Sequence, residues 1–216
     1  MIVPFDSDKL FKINPNAKVN FENNIIVIDD FFVDYEKVCK YVYHNNVEIW
    51  KHSDNSRNFI DYYDCRHVVG NWFYDSLEFD SRIESIIEYF HQLKVKPTKK
   101  YFEFNYFKHL KKNVNSNLQM HPHSDQIFNL IVYLDEQCNG GTAIYQIDTP
   151  IENNENENLM YDVSSLQKTI IPAKQNRCVI FNGLQYHGGH INNHNVYYDN
   201  WRINMVRFYE CILPRS

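Results

Sequence analysis

From residue 100 onward the chain is a succession of short apolar runs separated by turn residues. They are KYFEFNYFKHL (100–110), QIFNLIVYLD (126–135), TAIYQI (142–147), CVIFNG (178–183) and WRINMVRFYECIL (201–213). They are rich in β-branched and aromatic residues and bounded by turn residues, so the pattern predicts strands. The first alternates aromatic with polar residues, as a strand with one buried face does. Many short strands cannot each bury a face alone. They must stack as two sheets or close on themselves.

What precedes them is different. SRIESIIEYFHQL (81–93) carries an apolar stripe of Ile83, Ile86, Ile87 and Phe90, with Ser81 and Glu84 spaced as a capping box. NNIIVIDDFF (23–32) reads as a buried strand, and Asp34 as the cap of a helix presenting Tyr35, Val38, Tyr41 and Val42 on one face. Helices first and strands afterwards predict an α+β protein. We expect one domain over 1–216: an N-terminal strand and helices (1–97) packing on a jelly-roll or cupin-like barrel, a double-stranded β-helix, at 98–213. The NGGT turn predicts that QIFNLIVYLD and TAIYQI pair as a hairpin. The acidic, Asn-rich stretch within 149–166 reads as a surface loop placed to act as a lid.

The 216 residues are enough for one sizeable core. A net charge of −5 disfavours nucleic-acid partners. Lys94, Lys96, Lys99, Lys100, Lys108, Lys111 and Lys112 read as a solvated strand edge. No run reaches the length of a membrane helix, and MIVPFDSDKLFK lacks the features of a signal peptide. Cys39, Cys65, Cys138, Cys178 and Cys211 are odd in number and widely spaced, which predicts reduced thiols and a cytoplasmic location.

The chemistry concentrates at MHPHSDQ (120–126). In an extended chain His123 and Asp125 project to the same side, so an imidazole and a carboxylate can take adjacent positions on one metal ion. Alone, that pair favours a polar strand end. His187, directly after the strand-turn unit FNGLQY, offers a third ligand, and His190 is its rival. We prefer His187, because His190 lies three residues further on and points the other way in a regular strand. Two histidines and one carboxylate on one face suit non-haem Fe(II). Arg202, in the final strand, suits an acidic cosubstrate held bidentately, whereas Arg207 has odd separation from it and should point away.

In order and spacing, HSD (123–125), IVYLDEQCNGGTAIY (131–145), NRCVIFNGLQYHGG (176–189) and WRINMVRFY (201–209) resemble the Fe(II)- and 2-oxoglutarate-dependent dioxygenase superfamily, prolyl-hydroxylase-like branch. IIVIDDFFVDYEKVCKYV (25–42) is similar to the opening of many such enzymes. The resemblance implies iron ligands at His123, Asp125 and His187, and cosubstrate contacts from Arg202, Tyr106 and Asn129. Asn204 is a further candidate for lining the pocket. His121 reads as a neighbour of the ligands whose imidazole can face the substrate. Arg57, Tyr63, Arg66 and His67 read equally as a substrate wall or as surface, and Arg177 as a stabiliser of the fold.

The implied cofactors are Fe(II), 2-oxoglutarate and O2, with ascorbate as a supporting reductant. The implied reaction hydroxylates a peptide, amino acid or small metabolite, releasing succinate and CO2, and leads to demethylation where the oxidised carbon carries nitrogen. Two other readings stand beside it. A cupin-type metal enzyme without 2-oxoglutarate would have little use for Arg202. A non-catalytic jelly-roll binding module would have little use for three metal ligands.

Overall fold

The structure is a computed structural model that describes residues 7–44, 63–69, 77–99, 102–125, 127–147 and 160–212. Its elements are α1 (Ser7–Leu10), β1 (Lys18–Glu22), β2 (Ile25–Asp29), α2 (Tyr35–His44), β3 (Tyr63–Val69), α3 (Leu77–His91), β4 (Val95–Pro97) and β5 (Glu103–His109). They continue with β6 (Leu118–Met120), β7 (Phe128–Tyr133), β8 (Gly140–Tyr145), β9 (Met160–Asp162), β10 (Lys168–Pro172), β11 (Cys178–Asn182), β12 (His187–Ile191) and β13 (Arg202–Cys211).

The large sheet runs β1-β2-β11-β7-β13-β5-β3, with β4 also on β13, the small one β10-β8-β12, and β6 and β9 form a separate two-stranded pair. All their pairings are antiparallel. Strand alternation divides the large sheet cleanly. Ile26, Leu130, Val132, Ile180, Ile203 and Met205 face Val38 and Val42 of α2 and Ile83 and Ile87 of α3, building the main core. The intervening residues Ile131, Tyr133, Val179 and Phe181 face the small sheet and meet Ile144 and Ile171. The molecule is thus mostly β, two sheets face to face with helices on the outer side of the larger one. Each fully buried Ile on these faces is worth about 1.5–3 kcal/mol relative to exposure.

Three expectations need correction. Ser81 does not cap α3, because the helix starts a turn earlier at Leu77 and Ser81 is inside it, its carbonyl accepting from the Ser85 hydroxyl at 2.7 Å. The earlier start is held by tertiary contacts that the local pattern does not contain. Phe79 is buried in the main core, and Asp80 takes Arg207 Nε at 2.6 Å and the Tyr209 hydroxyl at 2.9 Å.

β7 and β8 are not a hairpin either. β7 pairs with β11 and β13, and β8 pairs with β10 and β12 in the other sheet. Gly140 and Gly141 lie at φ of 131° and 158°, and a Cβ at either would sit within about 2 Å of a carbonyl oxygen, of His190 and of Ile171 respectively. The glycines let three backbones approach where the chain changes sheets.

The third correction is smaller. NNHNVYYDN, expected as a loop, contains a 3-10 turn at His194–Tyr197 with His194 buried. As expected, Arg177 braces the fold, donating to both oxygens of Asp29 at 2.7 and 3.1 Å. Cys39, Cys138, Cys178 and Cys211 are free thiols. The expected lid falls mainly on 148–159, outside the described residues, as do Arg57 and the Lys100 backbone. Among the described residues no helix is long and apolar enough to cross a membrane.

Candidate metal centre

Backbone pairing brings the site together. His123 and His187 form an isolated antiparallel bridge, each N–H bonded to the other's carbonyl at 2.9 and 2.8 Å. Asp125 N–H donates to the Gly183 carbonyl at 2.8 Å, tying the segment before β7 to the turn before β12. The side chains converge as a result. Asp125 Oδ2 is 3.3 Å from His123 Nε2 and 3.3 Å from His187 Nε2, and one ligand atom from each residue lies within 4.8 Å of the others.

The remaining ring nitrogens settle the tautomers. His123 Nδ1 is 3.1 Å from the His121 carbonyl and His187 Nδ1 is 2.8 Å from the Gln185 carbonyl. A carbonyl only accepts, so each Nδ1 carries a proton and each Nε2 is the ring atom turned toward Asp125. Burial works against the Asp125 charge, but the hydrogen bonds and charges of His123 and His187 outweigh it and hold the carboxyl well below the usual carboxylate range. Burial likewise depresses His123, but Asp125 and the His121 carbonyl outweigh it and raise the imidazole. Two imidazoles and one carboxylate fit a divalent first-row cation and leave positions for other ligands. The His187 side chain is 4% exposed and that of His123 46%, so the cluster is closed at one end and open at the other. Phe181 closes the His187 side with its ring edge-on at 4.9 Å.

Deeper between the sheets lies Arg202, 4% exposed. Its Nη2 donates to the Gly141 carbonyl at 2.9 Å, and Asn204, with its amide oxygen turned inward, accepts from Nη1 at 2.9 Å. Among the described residues it pairs with no carboxylate. Gly189, two residues along β12 from His187, faces it, since a Cβ there would sit 3.1 Å from Nη1. Two strand residues span about 7 Å, so the guanidinium meets β12 one same-face position along from His187. Tyr133 and Thr142 line the same interior, their hydroxyls bonded at 2.8 Å. Burial pushes the Tyr133 hydroxyl up to about 12, which keeps it a donor at neutral pH.

The other expected residues are distributed as follows. Tyr106 pairs with Ile203 across β5 and β13, which puts it on the helix face, opposite Arg202, where its hydroxyl donates to the Val42 carbonyl at 3.2 Å. The structure therefore does not bring Tyr106 to the interior that Arg202 faces. Asn129 lies against the triad, its Nδ2 3.0 Å from Asp125 Oδ2 and 3.0 Å from His187 Nε2. Asn204 orients Arg202. His121 stands at the rim, its ring edge-on to Tyr161 at 5.3 Å. Arg66 lies opposite Tyr106 on β3, and its side chain, like those of Tyr63 and His67, is outside the described residues. His190 sits an odd number of residues from His187, and its buried Nδ1 has no partner among the described residues. Arg207 points to α3. Tyr133, Thr142 and Gly189 were missed. Tyr133 was legible, because it lies four residues from Asn129 on one face of a single strand.

Neither a protein-family model nor a curated protein matches the chain. Solved structures do. The epimerase SnoN, in complex with Fe3+, alpha ketoglutarate and nogalamycin RO, aligns with a TM-score of 0.52 at 12% identity, covering 87% of this chain and 78% of that one. A 2OG-Fe(II) oxygenase family oxidoreductase from Burkholderia pseudomallei aligns at 0.50 and 10%, covering 88% and 85%. The alpha ketoglutarate dependent carbocyclase SnoK from nogalamycin biosynthesis aligns at 0.50 and 10%, covering 86% and 79%. The likeness is one of fold: this chain shares the cupin-like β-sandwich of 2-oxoglutarate- and iron-dependent enzymes.

Proposed function

We propose that the protein is an Fe(II)- and 2-oxoglutarate-dependent oxygenase that hydroxylates a small-molecule, amino-acid or peptide substrate. The observation that carries this reading is Arg202: a buried guanidinium that pairs with no carboxylate among the described residues, facing the same interior as a two-histidine, one-carboxylate cluster. A buried cation calls for an anion, and a dicarboxylate can offer one carboxylate to the guanidinium and the other to the cluster. The jelly-roll form of the sandwich, membership of the prolyl-hydroxylase-like branch, a single domain over 1–216 and a cytoplasmic location belong to the same proposal. The free thiols support the last of these.

In this account His123 and His187 would hold iron through Nε2 and Asp125 through Oδ2. Iron and 2-oxoglutarate bound there would supply the oxidising power, one oxygen atom of O2 going to the substrate and the other to succinate, with loss of CO2 from the cosubstrate. The protein's own residues bind, orient and exclude water. Arg202 takes the distal carboxylate of 2-oxoglutarate, with Asn204 and the Gly141 carbonyl fixing its fork. Tyr133, the donor, and Thr142 lie beside that carboxylate. Phe181 shields His187 from water. Substrate enters at the open His123 side, past His121 and Tyr161.

The test is coupled turnover. Protein purified without oxygen receives Fe(II), ascorbate and 2-oxoglutarate, O2 is admitted, and succinate is followed by mass spectrometry. Wild type forms succinate slowly, a true substrate accelerates it, and Asp125→Ala forms none. Succinate formation that persists in Arg202→Met would remove 2-oxoglutarate from the pocket assigned to it.

A further inference from the structure

Asn129 is the polar residue of FNLIVY, a strand at the centre of the large sheet. It pairs with Phe181 on one side and Phe208 on the other and is only 3% exposed. Its backbone is therefore fixed from both flanks, and its side chain has little freedom.

That side chain ends between two of the three candidate metal ligands. Nδ2 stands 3.0 Å from Asp125 Oδ2 and 3.0 Å from His187 Nε2. Oδ2 is the carboxylate oxygen that faces both imidazoles at 3.3 Å, so it is the oxygen that would meet a cation. An N–H bound to Oδ2 occupies one lone-pair direction and leaves the other for the ion, which favours one-oxygen coordination. Its hydrogen bond also fixes the carboxylate's rotation, which the Asp125 backbone, outside any named strand, does not. Asn129 Oδ1 is buried and has no partner among the described residues, so the amide is held by what its nitrogen does.

We propose that Asn129 is the positioning residue of this centre: its amide nitrogen fixes the rotation of the Asp125 carboxylate, giving up its contact with His187 Nε2 when that lone pair takes the ion, and so sets the affinity and ligand geometry of the divalent ion that the cluster takes. The inference rests on the proposed function only in taking the cluster as a metal site. It needs neither 2-oxoglutarate nor turnover.

The test uses Co(II), an Fe(II) surrogate with visible bands sensitive to ligand geometry. Wild type, Asn129→Leu (similar volume, no donor) and Asn129→Ser (polar, too short to reach) are titrated anaerobically, with circular dichroism and thermal unfolding run alongside. Both variants should bind Co(II) about 10- to 100-fold more weakly, the range found when partners of metal ligands are removed. Their visible bands should also shift in position or intensity at saturation, a change that a general loss of stability does not produce. If the leucine variant does not fold, the serine variant carries the test. Wild-type affinity and spectrum in a folded variant would overturn the inference and leave the metal site standing. Failure of wild type itself to bind Co(II) or Fe(II) would overturn the metal site, and this inference with it.

Discussion

A guanidinium kept between two sheets is costly without an anion, and among the described residues no carboxylate meets Arg202, so the ligand that justifies it can be sought directly. Arg202→Met should weaken 2-oxoglutarate binding to the metal-loaded protein by about 3 kcal/mol, over 100-fold, as loss of one partner of a buried charge pair does. The metal affinity should stay within a few-fold of wild type. Arg202→Lys keeps the charge but not the planar fork, and should recover only part of the loss. Calorimetric titration with each ligand separately reads both numbers.

A second test at this scale concerns His109 and His194, whose Nε2 and Nδ1 are 2.7 Å apart in full burial. Burial, then the charge of His194, pushes His109 down to about 4. The folded protein therefore holds His109 neutral between about pH 6.5 and pH 4, where the unfolded chain is protonated. Stability is lost as pH falls through that window and levels off below it. Urea unfolding at several pH values should show a shallower acid slope in His109→Gln than in wild type. Equal slopes would mean that His109 takes no part in the acid response.

Helix α3 is fastened by a buried ion pair rather than by a cap. Arg207 donates to both oxygens of Asp80, and its guanidinium lies over the Phe102 ring at 4.8 Å. Asp80→Ala leaves that charge buried without its carboxylate and should cost about 3–5 kcal/mol in urea unfolding. Asp80→Leu combined with Arg207→Met removes both charges and should lie closer to wild type than Asp80→Ala alone. Strand β12 makes a different demand. At Gly189 an added Cβ would sit 2.4 Å from Met120 Sδ and 3.1 Å from Arg202 Nη1. Gly189→Ala should therefore weaken 2-oxoglutarate binding more than metal binding, since His187 is anchored separately through its backbone bridge to His123. Equal losses of both ligands would mean that the glycine serves the whole strand pair and not the pocket.

At the scale of the molecule, the parts of the fold legible in the sequence are those set by local periodicity. The alternation that separates Leu130 and Val132 from Ile131 and Tyr133 is written in consecutive residues, and the stripe of Ile83 and Ile87 likewise. The errors fell where distant partners decide. Ser81 and Glu84 have capping-box spacing, but Asp80 finds Arg207 far along the chain and the helix begins earlier. NGGT has hairpin composition, yet its glycines serve a crossing between sheets. The same division holds at the site. His123, Asp125 and His187 could be proposed from spacing and resemblance. Tyr106 could not be placed, because a shift of one residue in strand phase moves a side chain from the pocket to the helix face. Tyr133 and Thr142 meet only when strands of opposite sheets face each other.

The central claim is that iron and 2-oxoglutarate share one pocket between the triad and Arg202. It is tested most directly by visible absorption of the anaerobic Fe(II) protein as 2-oxoglutarate is added. The account predicts a charge-transfer band that requires both iron and 2-oxoglutarate, saturates at one equivalent, and is absent in Asp125→Ala. In Arg202→Met the band should need far more 2-oxoglutarate. Iron bound at one equivalent with no band at any 2-oxoglutarate concentration would contradict the account and favour a metal enzyme of this fold that works without that cosubstrate.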